Sequence, residues 1–189
     1  KWFMKSQDYD EEIKEKFGDL LKEAEQGKGF GWLHTKDSYV AYIILLDQFS
    51  RHIYRGKSDA FKNDDGCMIF VELGWDIYEE KLEGYEFMFA FMPYMHTESI
   101  NYQEKGEEIF NENFDVAKDN NEEVDMYVGT HDIHKEYEMM VSMKPHVEGH
   151  SQTIQKFGRF PKRNADLGRI STEEEIRYME DPEVQKRPY

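Results

Sequence analysis

Arginine is the side chain for fixed, two-pronged contact with carboxylates and phosphates, and lysine does not replace it there. Five of the seven arginines in this chain fall in two short segments, LLDQFSRHIYRG (Leu45–Gly56) and FGRFPKRNADLGR (Phe157–Arg169). In an acidic protein such sorting has two explanations. Either the arginines are internal ion-pair locks, or the segments converge on a site for an anionic small molecule. Read as a helix at 100° per residue, the first segment puts Asp47, Gln48, Arg51 and Arg55 within one arc of about 100°, with Leu45, Leu46, Phe49 and Ile53 elsewhere. Asp47 and Arg51 stand at i,i+4 with the acid first, the favourable order for an intrahelical pair. On the binding reading, Arg55 and Gln48 are then left to hold a ligand. In the second segment Gly158 and Pro161 set a tight turn that presents Arg159, Arg163 and Asn164 near a helix start, with Arg169 following. Backbone amides at a helix start already favour anions. On the locking reading, the same arginines cap upstream helices or pair with Asp47 and Glu174.

Histidine and glutamate supply the remaining candidates. His96-Thr97-Glu98-Ser99 follows Pro93, and Gln103 lies one turn later. His96 and Glu98 could serve as acid and base, while helix capping by Thr97 or Ser99 accounts for the same residues. One His and one Glu are too few for zinc. His131 with His134, and His146 with His150, have helical spacing but no third ligand at a diagnostic distance, so no metal site is assigned. His150 precedes Ile154 and Phe157, which turns it inward and makes it a third acid–base candidate. No Walker motif, nucleophile elbow or HExxH is present, and no cofactor is implied. The GKGFG stretch follows a helix rather than a strand, so it reads as a helix end plus loop. Cys67, in the apolar run CMIFVELGW, reads as a buried, inert thiol.

Helices must position these groups. Ile13, Phe17, Leu20, Leu21 and Ala24 recur at helical spacing and predict an amphipathic helix over 8–26. The next, over 38–54, is apolar on nearly every side in its first half and reads as central. Further helices are expected over 65–81, over 84–92 with Pro93 as the stop, and over 99–114. Residues 115–130 are polar, lack a period and read as a loop. Helix resumes near His131, Pro145 opens another that ends at Gly158, and Pro161 opens a short one closed at Gly168. Ser171-Thr172-Glu173-Glu174 reads as a capping box, with the last helix ending before Asp181-Pro182. No period-two strand of useful length occurs. The expectation is an all-α single domain over 1–189, with seven to nine helices packed as antiparallel hairpins.

Composition narrows the function. At 189 residues and 39% apolar content the chain suffices for one well-buried core. A net charge of −16 argues against nucleic acid and against anionic membrane surfaces. Residues 104–138 hold twelve acids against three lysines, a face suited to a basic protein partner. Between His150 and Ile170 the sign reverses, with five basic residues against Asp166. A single cysteine favours a reducing, intracellular and cytoplasmic setting. No stretch approaches the ~18 apolar residues of a spanning helix, so membrane insertion is not expected. Lys1 is not an initiator methionine, and an N-terminal piece is expected to be missing.

LLDQFSRHIYRG, the MPYMHTES segment with its following Gln-containing helix, and FGRFPKRNADLGRISTEEE occur in an order that resembles domain-of-unknown-function family 924 (DUF 924). Trp2-Phe3 and EKFGDLL resemble its opening, so the likeness covers nearly the whole chain. It implies an all-α fold similar to tetratricopeptide-repeat proteins, and no established activity. Its recurrent polar set would fall on Asp47, Gln48, Arg51, Arg55, His96, Glu98, Gln103, His150, Arg159, Arg163, Asn164 and Arg169. The chain departs from the family at His52 (usually Asn), Thr97 (usually Ser), Lys162 (usually His) and Phe87 (commonly Arg). Losing an Arg and a His weakens an anion or acid–base site, and is compatible with recruitment as a structural subunit. The leading expectation is a protein-interaction or structural module, either free-standing or part of a larger assembly. The alternative is a hydrolase-like enzyme or binder, in which the arginines clamp an anionic substrate beside His96 or His150.

Overall fold

The computed structural model describes residues 6–124 and 131–185. Among the described residues there are nine α-helical segments and no strand, which agrees with the all-α expectation. The described residues are gathered in two compact units, one from 6–81 with 160–185 and one from 82–124 with 131–159.

The first unit is built around a continuous helical rod. It comprises α2 (Lys36–Ile43), a π-helical turn (Ile44–Phe49) and the single turn α3 (Ser50–Ile53). Thr35 caps α2 through a reciprocal box with Ser38. Leu45 to Ser50 are all buried, as befits a central element. α1 (Gln7–Ala24) runs antiparallel along one side. Asp10 meets Arg55, Phe17 stacks near Phe49 with centroids 4.7 Å apart, and the Tyr42 hydroxyl donates to the Ala24 carbonyl at 3.2 Å. α4 (Asp64–Tyr78) lies antiparallel along another side. There Arg51 meets Asp64, the Tyr42 and Phe70 rings lie 4.4 Å apart, and Tyr39 donates to the Val71 carbonyl at 2.9 Å. A Cβ on Gly74 would overlap the Tyr39 ring, so this close crossing requires glycine. The C-terminal part adds α8 (Glu173–Glu180) and α9 (Pro182–Gln185).

The second unit holds α5 (Tyr85–His96), α6 (Ile100–Val124) and α7 (His131–Phe157). α6 and α7 form an antiparallel hairpin, since Glu107 meets Ser151, Phe114 meets Tyr137 and Lys144, and Asn121 meets His134.

Three sequence expectations fail here, each for a physical reason. Pro93 does not end α5, which continues to His96. Burial of Tyr94 and Met95, and capture of the Met95 and Thr97 carbonyls by the Gln103 amide at 2.8 Å each, outweigh the lost hydrogen bond. Pro145 does not open a helix but lies within α7, whose buried face (Met140, Met143, Val147, Ile154) runs unbroken past it. The polar stretch 115–130 is not a loop over its first ten residues, because α6 extends through them to Val124. Phe110, Phe114 and Ala117 keep a three–four period that Asn121 continues, and the outer face is mainly polar. Residues 125–130 of that expected loop lie outside the described residues, as do Trp2-Phe3.

Gly106 sets the approach of α6 to α5, since a Cβ there would sit 2.7 Å from the Tyr94 Cβ. Alanine is the better helix former by about 1 kcal/mol, yet Gly106→Ala is expected to destabilise the protein by about 1–3 kcal/mol through overpacking. A lowered midpoint in urea unfolding checks this; an unchanged or raised midpoint would show that the helices separate freely.

Candidate functional site: a buried arginine–carboxylate network

Both carboxylates at the heart of the network lie on the buried stripes of their helices. Asp64 begins the run Asp64, Cys67, Met68, Val71, Trp75 on α4, and Asp10 precedes Ile13, Phe17 and Leu21 on α1. A carboxylate taken out of water needs cationic or hydrogen-bonding partners. Asp64 receives both prongs of Arg51, at 3.0 and 3.2 Å, and Nη1 of Arg163 at 2.9 Å. Arg51 also donates to the Asp47 carbonyl at 2.9 Å and lies 3.3 Å from its carboxylate. Asp47 is almost fully buried and accepts a short hydrogen bond from Gln48 Nε2. The Arg163 guanidinium is held between the Phe61 and Phe160 rings, 4.6 and 4.5 Å from their centroids.

A second knot joins α1 to α3. Asp10 accepts from Arg55 Nε at 2.5 Å and Nη2 at 2.9 Å, and its Oδ1 lies 2.7 Å from Nδ1 of the buried His52. The Tyr9 ring meets His52 edge-on at 5.4 Å. The Arg55 hydrogen bond, outweighing burial and aided by His52, holds the Asp10 carboxyl below the usual range. Burial opposes charge on Arg51, but Asp47 and Asp64 together raise its pKa further. Burial, then those same two carboxylates, pushes the Cys67 thiol well up, so it stays protonated and unreactive as the sequence suggested.

The expected single polar arc does not form, because α3 ends at Ile53 and Arg55 lies beyond it. The preceding π-helical turn carries Asp47 and Gln48. Asp47 and Arg51 meet as the sequence suggested, on the α4 side, whereas Arg55 turns to α1. Both Nε and Nη2 of Arg55 donate to Asp10. The acids expected to meet the arginines were Asp47 and Glu174. Asp10 and Asp64 are the acids that spacing alone does not assign, although an acid on an otherwise apolar stripe is a readable signal.

After Phe160 a short 3₁₀ turn (Pro161–Arg163) carries Arg163 and leads to Asn164. Asn164 is buried, and its amide donates to Ser171 Oγ at 3.0 Å and Glu175 Oε2 at 3.3 Å. The Asn164 backbone carbonyl accepts the Arg169 backbone amide at 2.8 Å, closing the turn at Gly168. The capping box is real but one residue later than expected, with Thr172 and Glu175 bonded reciprocally. Glu175 is buried and anchored by Asn164, and this sets the register. Lys162, in the usual His position of the resemblance, donates to the Val184 carbonyl at 2.9 Å.

In the second unit, the Gln103 amide closes the end of α5, and Thr97 Oγ1 accepts the Ser99 amide at 3.1 Å. His96 and His150 come together with ring centroids 6.0 Å apart, and His150 Nδ1 lies 2.7 Å from the His146 carbonyl. Glu98 is half-buried in the α5–α6 connection, and half-buried Arg159 follows α7. His134 engages Asn121 at 2.6 Å; the His131 side chain lies outside the description. No group of three or more His, Cys, Asp or Glu among the described residues could hold a metal ion. No described helix is long and apolar enough to cross a membrane.

Helical hairpins around a buried ionic network define an all-α protein. The chain belongs to the DUF924 family, described as bacterial proteins of unknown function, whose family model matches residues 1–183. A solved protein of unknown function from Agrobacterium tumefaciens, ATU0120, is similar in structure, with a TM-score of 0.72 and 27% identity over 95% of this chain and 88% of that one. Comparison with curated proteins found no match.

Two outcomes are expected of the network. Asp64→Ala removes the carboxylate shared by Arg51 and Arg163 and should cost about 3–5 kcal/mol, lowering Tm by roughly 6–20 °C. A loss under 1 kcal/mol would show the pairing to be incidental. Asp10 has a depressed folded-state pKa, so its contribution is complete above the unfolded value and fades as pH falls through the folded one. The stability gap between wild type and Asp10→Asn should be full above about pH 4 and close below it. Urea unfolding from pH 3 to 7 measures that gap; a constant gap would refute the assignment.

Proposed function

We propose that the protein is an interaction module of tetratricopeptide-like helical hairpins, working within a larger assembly, and that its arginine segments hold the fold rather than a ligand. One observation carries the reading: Arg51, Arg55 and Arg163 each engage a carboxylate of the same unit. A clamp for an anionic metabolite needs cationic charge in excess of its own acids, and here Asp10, Asp47 and Asp64 match it locally. Antiparallel hairpins leave outer faces and grooves suited to other polypeptides. The acidic outer surface suits a basic partner.

The test has two arms. A thermal-shift screen of phosphorylated and carboxylated metabolites should leave wild-type Tm unchanged, while Arg55→Ala and Arg163→Ala melt earlier without ligand. A ligand at a hundred times its Kd adds about 2.7 kcal/mol, or roughly 5–11 °C for a chain of this size. A wild-type rise of that size, lost in both variants, would replace the module by an anion site. In host cells, photo-crosslinking residues placed at exposed positions of both units should give discrete protein adducts. Absence of adducts from every position would sink the interaction reading.

A further inference from the structure

Three large apolar side chains stand in solvent along one face of α4. Ile69, Leu73 and Ile77 are 61%, 48% and 52% exposed, at i, i+4 and i+8, and so form one stripe about 12 Å long. Scattered exposed hydrophobics need no explanation, but a continuous stripe does. Beside it lies a groove of about 330 Å³, walled by Ile69 and Leu73 and floored by Ala24, Tyr42, Leu46 and Phe70. All of these residues belong to the first unit. At its polar end Lys62 is already matched by Glu25 at 3.0 Å.

We infer that this stripe and groove receive a basic amphipathic helix from a partner protein, an inference that rests on the interaction reading above. Charge selects the occupant. On a helical projection Asp76, Asp65 and Glu72 lie within about 60° of Ile69 on one side, while Leu73 and Ile77 lie on the other. The whole of α4 contains no Lys, Arg or His. An apolar stripe edged by acids is complementary to an apolar stripe edged by lysine or arginine. A second copy of this chain would instead set acids against acids, in a molecule already carrying a net charge of −16. Strand addition has no template, since no strand edge exists among the described residues. The partner's apolar side chains enter the groove beside Phe70, and its basic flank lies along Asp65, Glu72 and Asp76.

Selection from a displayed library of 16-residue helices provides the test, with apolar residues at i, i+4 and i+8 and randomised flanks. The baits are wild type, Leu73→Glu, and the double variant Asp65→Lys/Asp76→Lys. These positions are exposed, and Tm of each bait is measured to confirm folding. Wild type should enrich Lys and Arg flanks, Leu73→Glu should bind the selected peptides roughly tenfold or more weakly, and the double variant should favour Asp and Glu flanks. Equal binding to wild type and Leu73→Glu, acidic or neutral flanks on wild type, or no enrichment would each overturn the inference. Crosslinked adducts arising only from other faces would leave the module reading standing while this surface fails. Adducts from no face would remove both.

Discussion

The Asp64 carboxylate is the point on which the first unit depends. It joins Arg51, 13 positions away, to Arg163, 99 positions away, and so ties the N-terminal helices to the segment that returns after residue 159. Hydrophobic burial alone would bring these pieces together without specifying their register. A bidentate guanidinium pair, with the second guanidinium clamped between two phenyl rings, is directional and does specify it. The chain leaves this unit at Lys81 and re-enters it at Phe160, three residues before Arg163. The lock therefore sits close to where the unit closes on itself.

Burying so much charge requires that each group be matched. Asp47, Asp64 and Asp10 supply the anions, and Gln48 donates a further hydrogen bond to Asp47. Such networks contribute little net stability against a well-packed apolar alternative, but losing one member leaves an uncompensated buried charge. Asp47 and Arg51 face α4, whereas Arg55, beyond the end of α3, meets Asp10 of α1.

The acidic surplus and the internal arginines are two sides of one arrangement. With Arg51, Arg55 and Arg163 each paired to an acid of the first unit, α4 itself contributes acids and no Lys, Arg or His. An acidic surface suppresses self-association and favours encounter with basic partners. The apolar stripe Ile69–Leu73–Ile77 runs along that acidic helix. Attraction by charge and adhesion by burial thus occur on one element.

The sequence by itself determined the helical class, the central place of residues 38–54, the ionic Asp47–Arg51 pair and the buried thiol, because these follow from local period, spacing and composition. It also carries weaker signals, namely the acids on the apolar stripes of α1 and α4 and the period that continues through Pro145 and residues 115–124. Only the tertiary structure decided which acid meets which arginine, since those partners lie 13, 45 and 99 positions apart and periodicity carries no information at such separations. It alone decided the capping register at Thr172, where the buried Asn164–Glu175 contact selects between two adjacent candidates. Local physics chooses the elements; the need to match every buried charge chooses how they meet.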